Sequence, residues 1–305
     1  MKKLFFGIDG GGTKSRLAVS DDTGKVICTV SGFSTNMYAV GFEQACVHIL
    51  SLFDILKEKQ GICVSDFTEG CFASAGLSVE KEKALFKQFF KDNGISCPVY
   101  LCNDALAALA GGTGKAEGLI LISGTGSIAA ALRADGKTAR AGGLGHLIGD
   151  EGSGFRIGLD GIRSAVCAYE RRAQKTVLTE HMFEHYKVSD VRDLFSFLYT
   201  NFDKARIASF APLVFQSAGD GDGAAVAILE QALIDLTDLV KSAYIQIFET
   251  EKTDLVFSGG IFEHEADFSR RTAERIRSAL PQITVQERLY DPATGACILA
   301  RSHLA

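Results

Sequence analysis

The chain has 305 residues, 47% of them hydrophobic, and its 32 basic and 37 acidic side chains give a formal charge of −5. This length and apolar content favour two domains with a large core, and the charge balance does not favour a nucleic-acid or phospholipid partner. The opening residues lack the pattern of a secretory leader and the apolar runs are only strand-length, so we expect a cytoplasmic protein without a membrane span.

The first third of the sequence predicts a strand meander followed by alternating helices and strands. Three strand patterns joined by tight turns come first, and apolar residues at helical spacing follow. A buried strand in EGCFASAG precedes a helix that Ser78 is expected to cap, because a serine hydroxyl accepts hydrogen bonds from free backbone N–H groups. The other predicted elements are the strands Leu4–Asp9, Ser15–Ser20, Lys25–Ser31 and Pro98–Cys102, and the helices Phe42–Lys59, Ser78–Phe90 and Asp104–Ala110.

The strand pattern then begins again. A strand at Gly118–Ser123, a glycine turn, a strand at Ile128–Leu132 and a turn into a third strand repeat the opening order, which indicates a structural duplication. Beyond Gly152 the chain is predicted to be mostly helical. The predicted elements there are the helices Gly154–Arg171, Val191–Tyr199, Asp203–Ser217, Asp222–Glu249, Ala266–Leu280 and Asp291–Leu304, and the strands Asp254–Ser258 and Ile283–Gln286.

The eight cysteines do not form a metal or disulfide pattern. None belongs to a CxxC pair, and most lie inside apolar runs such as EGCFASAG and GACILA. We therefore expect free thiols, most of them buried.

Three glycine-rich loops predict a nucleotide site. They are GGGTKS at Gly10–Ser15, SGTGS at Ser123–Ser127 and SGGIFE at Ser258–Glu263. Backbone N–H groups exposed in such turns form a concave site for anions. The pattern GxxxxGK[ST] is absent, and no GxGxxG joins a strand to a helix, so the loops are neither a Walker A motif nor a dinucleotide fingerprint. We expect the first two loops to hold phosphates and the third to approach the base or ribose.

Two aspartates, of which Asp9 is next to the first loop, each have two interpretations. Asp9 could start a turn by bonding to its own backbone, but we favour a carboxylate that reaches Mg²⁺ through water, because magnesium keeps most of its waters. Asp104 begins a predicted helix, where either it or Asn103 could be the cap. It could equally be the general base that phosphoryl transfer to a hydroxyl requires, and the spacing alone does not decide.

The segment Gly142–Gly154, GGLGHLIGDEGSG, is the densest polar and glycine signal after the first loop. No second histidine or cysteine lies at metal spacing from His146, so a hydrogen-bonding structural role is expected for it. Asp150 and Glu151 could cap the next helix or bind sugar hydroxyls, for which an acceptor-only carboxylate is a natural partner.

These motifs together carry a family resemblance. GIDGGGTKS, STN at 34–36, SAG at 74–76, ND at 103–104, LISGTGS, GGLGHLIGDEGSG and SGGIFE follow the order seen in N-acetylglucosamine kinases of the BadF/BadG/BcrA/BcrD ATPase family. That family belongs to the actin, sugar-kinase and heat-shock chaperone superfamily. The resemblance implies an α/β fold of two ribonuclease H-like domains around a central cleft. The expected divisions are residues 1–115, residues 116–290 with a helical insertion, and a C-terminal helix at 291–305 that packs back on the first domain.

The resemblance also implies roles for individual residues, with ATP and Mg²⁺ as cofactors. Asp9 would face the magnesium ion, and Asp104 would be the catalytic base. The residues implied to touch phosphates are Gly11, Gly12, Thr13, Lys14, Gly124 and Thr125. Those implied to line the adenosine site are Ala218, Gly259 and Gly260. Those implied to hold the sugar are Asn36, Asp104, Ser127, Gly145 and Asp150.

Two positions depart from the family pattern as it occurs in the vertebrate-type enzyme. Ile128 stands where an asparagine contacts the sugar, and Leu144 stands in place of the tryptophan of GGWG. Both changes predict a more apolar sugar wall. Glucosamine, another N-acetyl hexosamine, or a sugar with an apolar substituent such as a lactyl ether would also fit that wall.

We predict an ATP-dependent amino-sugar kinase that phosphorylates a hexosamine hydroxyl, the 6-hydroxyl being favoured. One alternative is an ATPase activator of a 2-hydroxyacyl-CoA dehydratase or benzoyl-CoA reductase. Such activators need cysteines inside or just after the second glycine loop, where this chain has SGTGSIAAAL. The other alternative is a non-catalytic sugar sensor. The expected partners are small molecules, and a homodimer is expected only because two-fold dimers are the commonest soluble oligomers.

Overall fold

A computed structural model describes residues 3–200 and 202–302 and contains two five-stranded mixed sheets. The strands of the first sheet are β1 (Leu4–Gly10), β2 (Lys14–Asp21), β3 (Val26–Phe33), β4 (Phe67–Ser74) and β5 (Val99–Cys102). Their order is β3-β2-β1-β4-β5, with β1 antiparallel to β2 and parallel to β4. The antiparallel hairpins come first in the chain, as the opening meander predicts.

The second sheet repeats the first. Its strands are β6 (Gly118–Ser123), β7 (Ser127–Leu132), β8 (Thr138–Gly142), β9 (Thr253–Ser258) and β10 (Ile283–Gln286). Their order is β10-β9-β6-β7-β8, with β6 antiparallel to β7 and parallel to β9. The two sheets therefore share one topology, which confirms the duplication predicted from the repeated strand pattern.

Thirteen α-helices occur in the described part of the chain, and none is long and apolar enough to cross a membrane. Those of the first half are α1 (Met37–Val40), α2 (Phe42–Gln60), α3 (Glu80–Asp92) and α4 (Asp104–Thr113). Those that follow are α5 (Gly154–Tyr169), α6 (Leu178–Tyr186), α7 (Val191–Tyr199), α8 (Lys204–Ala208), α9 (Ala211–Gly219), α10 (Gly223–Ile247), α11 (Gly260–His264), α12 (Ala266–Ala279) and α13 (Pro292–Ser302).

Several predicted helix boundaries differ from the observed ones. The segment predicted as one helix from Asp203 to Ser217 forms α8 and α9, because Pro212 at the start of α9 has no N–H to continue the helix. Helix α3 begins at Glu80 without a side-chain cap, so the prediction that Ser78 caps it is wrong. The Ser78 hydroxyl lies instead 3.4 Å from the amide nitrogen of Asn103. The predicted end of the last helix at Leu304 lies outside the described residues.

The alternation of β1 divides its side chains between two environments. Phe6 and Ile8 belong to a core cluster with Ile49 and Leu52 of α2. The opposite face carries Asp9, and there α13 packs directly on the strand. This alternation is the period-2 geometry of a strand, and it places the carboxylate of Asp9 on the face away from the α2 core.

Helices α4 and α13 occupy the layer between the sheets. Helix α4 contacts β1 and β4 of the first sheet and β6, β7 and β9 of the second, whereas α13 packs on α4, β1, β2 and β4. A Cβ atom at Gly295 would overlap the carbonyl oxygen of Ala107 and the amide nitrogen of Gly111. One at Gly7 would lie 2.6 Å from the carbonyl oxygen of Ala293. These glycines allow α13 to lie against the backbones of α4 and β1.

We expect Gly295→Ala to lower the free energy of unfolding by about 1–3 kcal/mol, because the new methyl group would overlap backbone atoms that cannot turn aside. Denaturant unfolding followed by circular dichroism would measure the change. Gly223→Ala is the matched control, since a Cβ at this first residue of α10 meets no atom within 4 Å. The control should keep or raise stability. Equal stability of both variants would contradict the close contact.

Candidate active site

The first glycine loop joins β1 to β2, and its three glycines have different surroundings. A Cβ at Gly10 would lie 2.7 Å from the Thr35 hydroxyl oxygen, and one at Gly11 would lie 2.6 Å from the carbonyl oxygen of Lys14. A Cβ at Gly12 would meet no atom within 4 Å. Packing within the protein therefore accounts for the first two glycines but not for Gly12. The open space beside the Gly12 backbone suits a ligand that approaches the main chain.

Hydroxyl groups from two neighbouring segments hold this loop in place. Ser34 donates to the carbonyl oxygen of Gly11 at 2.9 Å, and Ser74 donates to the carbonyl oxygen of Gly10 at 3.0 Å. The STN and SAG segments therefore fasten the loop through its carbonyl groups. Since those bonds do not use the loop's N–H groups, they leave donors free for an anion.

Asp9 lies half-buried at the end of β1, among other charged groups. It stands directly opposite Arg16 in the register of β1 and β2. Burial raises the pKa of Asp9 to about 6, the carboxylates of Asp104 and Asp291 raise it too, and the Arg16 guanidinium lowers it. The structure therefore brings Asp9 and Asp104 into electrostatic contact, as a shared site requires. The sequence did not indicate Arg16 or Asp291, because their pairing is not local.

Asp104 is the first residue of α4, and its neighbour takes the capping role. The Asn103 side chain accepts the N–H of Ala105 at 2.9 Å and is the N-cap of the helix. Asp104 Oδ1 lies 3.0 Å from the same N–H. Burial raises the pKa of Asp104, although the backbone N–H groups partly oppose this shift. A carboxylate with a raised pKa is better suited to accept a proton than an ordinary exposed aspartate.

The second glycine loop lies between β6 and β7 and is tied to the start of α5. Gly124 accepts the N–H of Gly154 at 2.8 Å, and Thr125 accepts the N–H of Phe155 at 3.3 Å. A cavity of about 280 Å³ opens beside this loop. Its lining residues are Gly124, Thr125, Gly154, Ala208, Ala211, Pro212, Phe215, Gly260, Ile261, His264 and Glu265.

This cavity includes some residues predicted for adenosine and not others. Gly260 lines it, whereas Gly259 packs on the end of β6, where its φ of 100° and its contact with Ser123 exclude a side chain. Ala218 is not among the lining residues, and earlier positions of the same helix, Ala211 and Phe215, take that place. The helix that carries these residues begins at Ala211, and the apolar spacing of the sequence did not indicate that start.

Asp150 has the strongest unmet hydrogen-bonding capacity of the predicted sugar residues. It is 3% exposed, adopts a φ of 63°, and accepts the N–H of Ser127 through Oδ1 at 3.2 Å. Its Oδ2 atom is buried without a partner among residues 3–200 and 202–302. A buried carboxylate oxygen without a hydrogen bond destabilises the free protein. A hydroxyl donor from a ligand would satisfy it.

The other predicted sugar residues contribute in different ways. The Ser127 hydroxyl donates to the carbonyl oxygen of Glu151 at 2.7 Å, so it fastens the loop and keeps only acceptor capacity. Asn36 accepts the N–H of Tyr38 at 2.9 Å, and its side-chain nitrogen has no partner in the part of the chain that the structure describes. Gly145, with a φ of 80°, has open space beside its Cα atom.

The loop before Asp150 is apolar and exposed. Leu144 is 52% exposed and Leu147 is 86% exposed. The end of the Ile128 side chain lies against Gly143, where a Cβ would be 2.7 Å away. His146 contacts the ring of Phe155 instead of making the expected hydrogen bonds to described residues. The Ile128 side chain, on β7, thus lies against the residue that precedes Leu144.

We expect Asp150→Asn to keep or raise the free energy of unfolding, because it removes a buried charge and keeps the acceptor for Ser127. Asp222→Asn is the matched control, since both carboxylate oxygens of Asp222 accept backbone N–H groups. It should lose about 1 kcal/mol, because the amide nitrogen that replaces one carboxylate oxygen cannot accept a hydrogen bond. Urea denaturation would compare the two variants. If Asp150→Asn lost as much unfolding free energy as Asp222→Asn, the conclusion that Asp150 Oδ2 has no hydrogen-bond partner would be contradicted.

The sequence matches the BadF/BadG/BcrA/BcrD ATPase family over residues 6–300. It is 31% identical to an N-acetylmuramic acid/N-acetylglucosamine kinase from Clostridium acetobutylicum, over 98% of this chain and 99% of that protein. It is 32% identical to an N-acetyl-D-glucosamine kinase from Dictyostelium discoideum, over 98% of both chains.

A candidate N-acetylglucosamine kinase from Chromobacterium violaceum has a similar crystal structure. The TM-score is 0.71 over 97% of this chain and 98% of that one, at 22% identity. At this identity the likeness shows the fold alone, and it confirms an α/β fold with two five-stranded mixed sheets. Because the family match covers nearly the whole chain, the protein is a member of the BadF/BadG/BcrA/BcrD ATPase family.

Proposed function

We propose that this protein is an ATP-dependent amino-sugar kinase, which transfers the γ-phosphoryl group of MgATP to a hydroxyl of N-acetylglucosamine or a related amino sugar. The observation that carries the proposal is that the Asp104 carboxylate lies close enough to Asp9 to raise its pKa, and that Asp9 adjoins a glycine turn with open space at Gly12. The kinase activities of the Clostridium and Dictyostelium relatives support the same conclusion.

The nucleotide would lie between the two glycine loops. Backbone N–H groups around Gly12 would bind phosphate oxygens from one side, assisted by Lys14, and the loop at Gly124 and Thr125 would bind them from the other. The cavity of about 280 Å³ beside Gly260 would receive the adenosine, since it opens directly beside the second loop. The glycines and alanines among its lining residues leave room for the close approach of a flat ring.

The residues fit a magnesium ion that travels with the nucleotide. No group of three or more His, Cys, Asp or Glu side chains within the described ranges could form a protein cage for a metal. One half-buried carboxylate, Asp9, fits an ion that keeps its waters and binds mainly to phosphates. When bound, such an ion neutralises charge on the phosphates during transfer.

Asp104 would accept the proton of the attacking sugar hydroxyl. Asn103 already caps α4, so the Asp104 carboxylate is not needed to begin the helix. Its raised pKa brings it closer to the working pH, which strengthens it as a base. A single carboxylate in this position could also orient the hydroxyl toward the phosphate.

The sugar would be held from both sides by polar groups of the two halves. Asp150 Oδ2 would accept a sugar hydroxyl, and the free side-chain nitrogen of Asn36 would donate to a sugar oxygen. The open space beside Gly145 would admit atoms of the sugar ring. Ile128 and Leu144 replace polar and aromatic groups with aliphatic ones, which favours a sugar that carries an apolar substituent such as an acetyl methyl or a lactyl ether.

A coupled assay of ADP release tests the proposed function. The panel is glucosamine, N-acetylglucosamine, N-acetylmannosamine, N-acetylmuramic acid, glucose, and MgATP without sugar. We expect release with at least one amino sugar and a product whose mass has increased by one phosphate. Release that does not depend on sugar would instead favour an activating ATPase, and measurement of bound iron would follow. No release with any sugar would overturn the proposal.

We expect Asp104→Asn to lower kcat by about 100-fold or more, with the KM for ATP little changed, because the amide cannot accept a proton. Asp92→Asn, on the exposed end of α3, is the control and should retain full activity. The base works when deprotonated and its pKa is raised, so wild-type kcat should fall on acidification with a midpoint above the ordinary aspartate value of about 3.9. An unchanged kcat in Asp104→Asn would contradict its role as the base.

A further inference from the structure

Arg16 is placed to interfere with the carboxylate of Asp9. The two residues are directly opposite in the antiparallel register of β1 and β2. Opposite residues share a face, and their Cβ atoms lie about 5 Å apart. A guanidinium on a flexible stem at this distance is a natural partner for a carboxylate. If Arg16 paired with Asp9, it would compete with any cation for the same oxygen atoms.

The structure shows Arg16 bound elsewhere. Its Nη1 donates to Asp291 Oδ2 at 2.9 Å, and its Nη2 lies 3.4 Å from the hydroxyl oxygen of Thr29. Asp291 stands 275 residues further along the chain, just before α13. The other oxygen of Asp291 accepts the N–H of Thr294 at 2.8 Å. The Asp291 carboxylate thus accepts a hydrogen bond from the first turn of α13 with one oxygen and binds Arg16 with the other.

The backbone around Asp291 is fixed against α4. The N–H of Tyr290 donates to the carbonyl oxygen of Gly111 at 2.9 Å, and a Cβ at Gly111 would overlap the carbonyl oxygen of Asp291. The N–H of Gly295 returns to that same carbonyl oxygen at 3.0 Å. Asp291 is therefore held in position by the backbone contact between α4 and α13. The Asp291 carboxylate that pairs with Arg16 therefore comes from a fixed backbone position.

All three charged groups line one cavity. This cavity, of about 410 Å³, includes Asp9, Arg16 and Asp291 together with Gly11 and Lys14 of the first glycine loop. The side chains of Arg16 and Asp291 are 46% and 37% exposed. The Arg16 and Asp291 side chains are therefore exposed enough to change conformation. They also line the same cavity as Asp9, so their charges can affect a cation bound there.

We propose that Asp291 is a positioning residue for the metal–nucleotide site, which holds Arg16 away from Asp9 so that the Asp9 carboxylate stays available to a divalent cation. The inference rests on the proposed function, because it assigns the Asp9 carboxylate to the cation that accompanies the nucleotide. Asp291 acts through Arg16. It has a second, separable role at the start of α13.

The test is binding of Mn²⁺ in the presence of ADP, followed by electron paramagnetic resonance on the full chain. Mn²⁺ has the same preference as Mg²⁺ for oxygen ligands in octahedral geometry. We expect Asp291→Asn to raise the apparent Kd for Mn²⁺ by about two- to fivefold, the size expected for a partly exposed ion pair. Asparagine keeps an acceptor for Thr294, so the helix start is preserved.

Two further variants separate positioning from a structural effect. Arg16→Met should bind Mn²⁺ as tightly as the wild type or more tightly, because the competing cation is gone. Arg16→Met/Asp291→Asn should restore the affinity that Asp291→Asn loses. A purely structural role for Asp291 predicts that the double variant binds no better than Asp291→Asn. That result, or an unchanged Kd in Asp291→Asn, would overturn the proposal.

The outcome is independent of the sugar assay. Mn²⁺ binding with ADP needs neither a sugar nor turnover, so the inference can hold in a protein whose acceptor is not an amino sugar. Failure of every sugar in the ADP-release assay would overturn the proposed function but not the role given to Asp291. A wild-type protein that binds no Mn²⁺ with ADP would overturn the role given to Asp291.

Discussion

The site depends on the contact at which α13 lies against the backbone of α4. Gly295 permits this contact because any side chain there would overlap Ala107 and Gly111. Helix α4 begins with Asp104, and Asp291 directly precedes α13. Helix α13 also packs on β1, the strand that carries Asp9 near its end. One close backbone approach therefore sets the relative positions of three carboxylates that come from distant parts of the sequence. Side-chain packing alone would fix them less rigidly, because side chains can change rotamer.

The duplicated sheets explain why each half of the chain gathers its loops at one edge of a sheet. In an open sheet with parallel strands, the crevice outside the carboxyl ends of the strands is the usual place for ligands. The first sheet supplies Asp9 and the glycine turn after β1, and Asp104 after β5. The second supplies the turn after β6 and Gly260 after β9. Because α4 contacts both sheets, these two sets of loops are held by the same helix.

Local signals in the sequence predicted most of the fold and part of the site. The strand meanders, their repetition, the glycine turns and the cap at Asn103 or Asp104 depend on neighbouring residues, so they could be recognised from spacing. The unpredicted helix α6 buries Leu178, Met182 and Tyr186 at intervals of four, a signal that was present. The pairing of Arg16 with Asp291 left no such signal, because it arises only when the chain end returns to the first hairpin. The place of Phe215 in the cavity likewise depends on tertiary packing.

The open space at Gly12 has a consequence for how this protein can change over evolutionary time. Substitutions at Gly10 or Gly11 meet protein atoms, so folding itself would act against them. At Gly12 the fold exerts no such restraint, and any selection for glycine must come from what occupies the space outside the chain. In a descendant that no longer used its ligand, Gly12 would be free to drift while its two neighbours stayed fixed. Under the proposed function, variation at this one position would report on ligand use separately from folding.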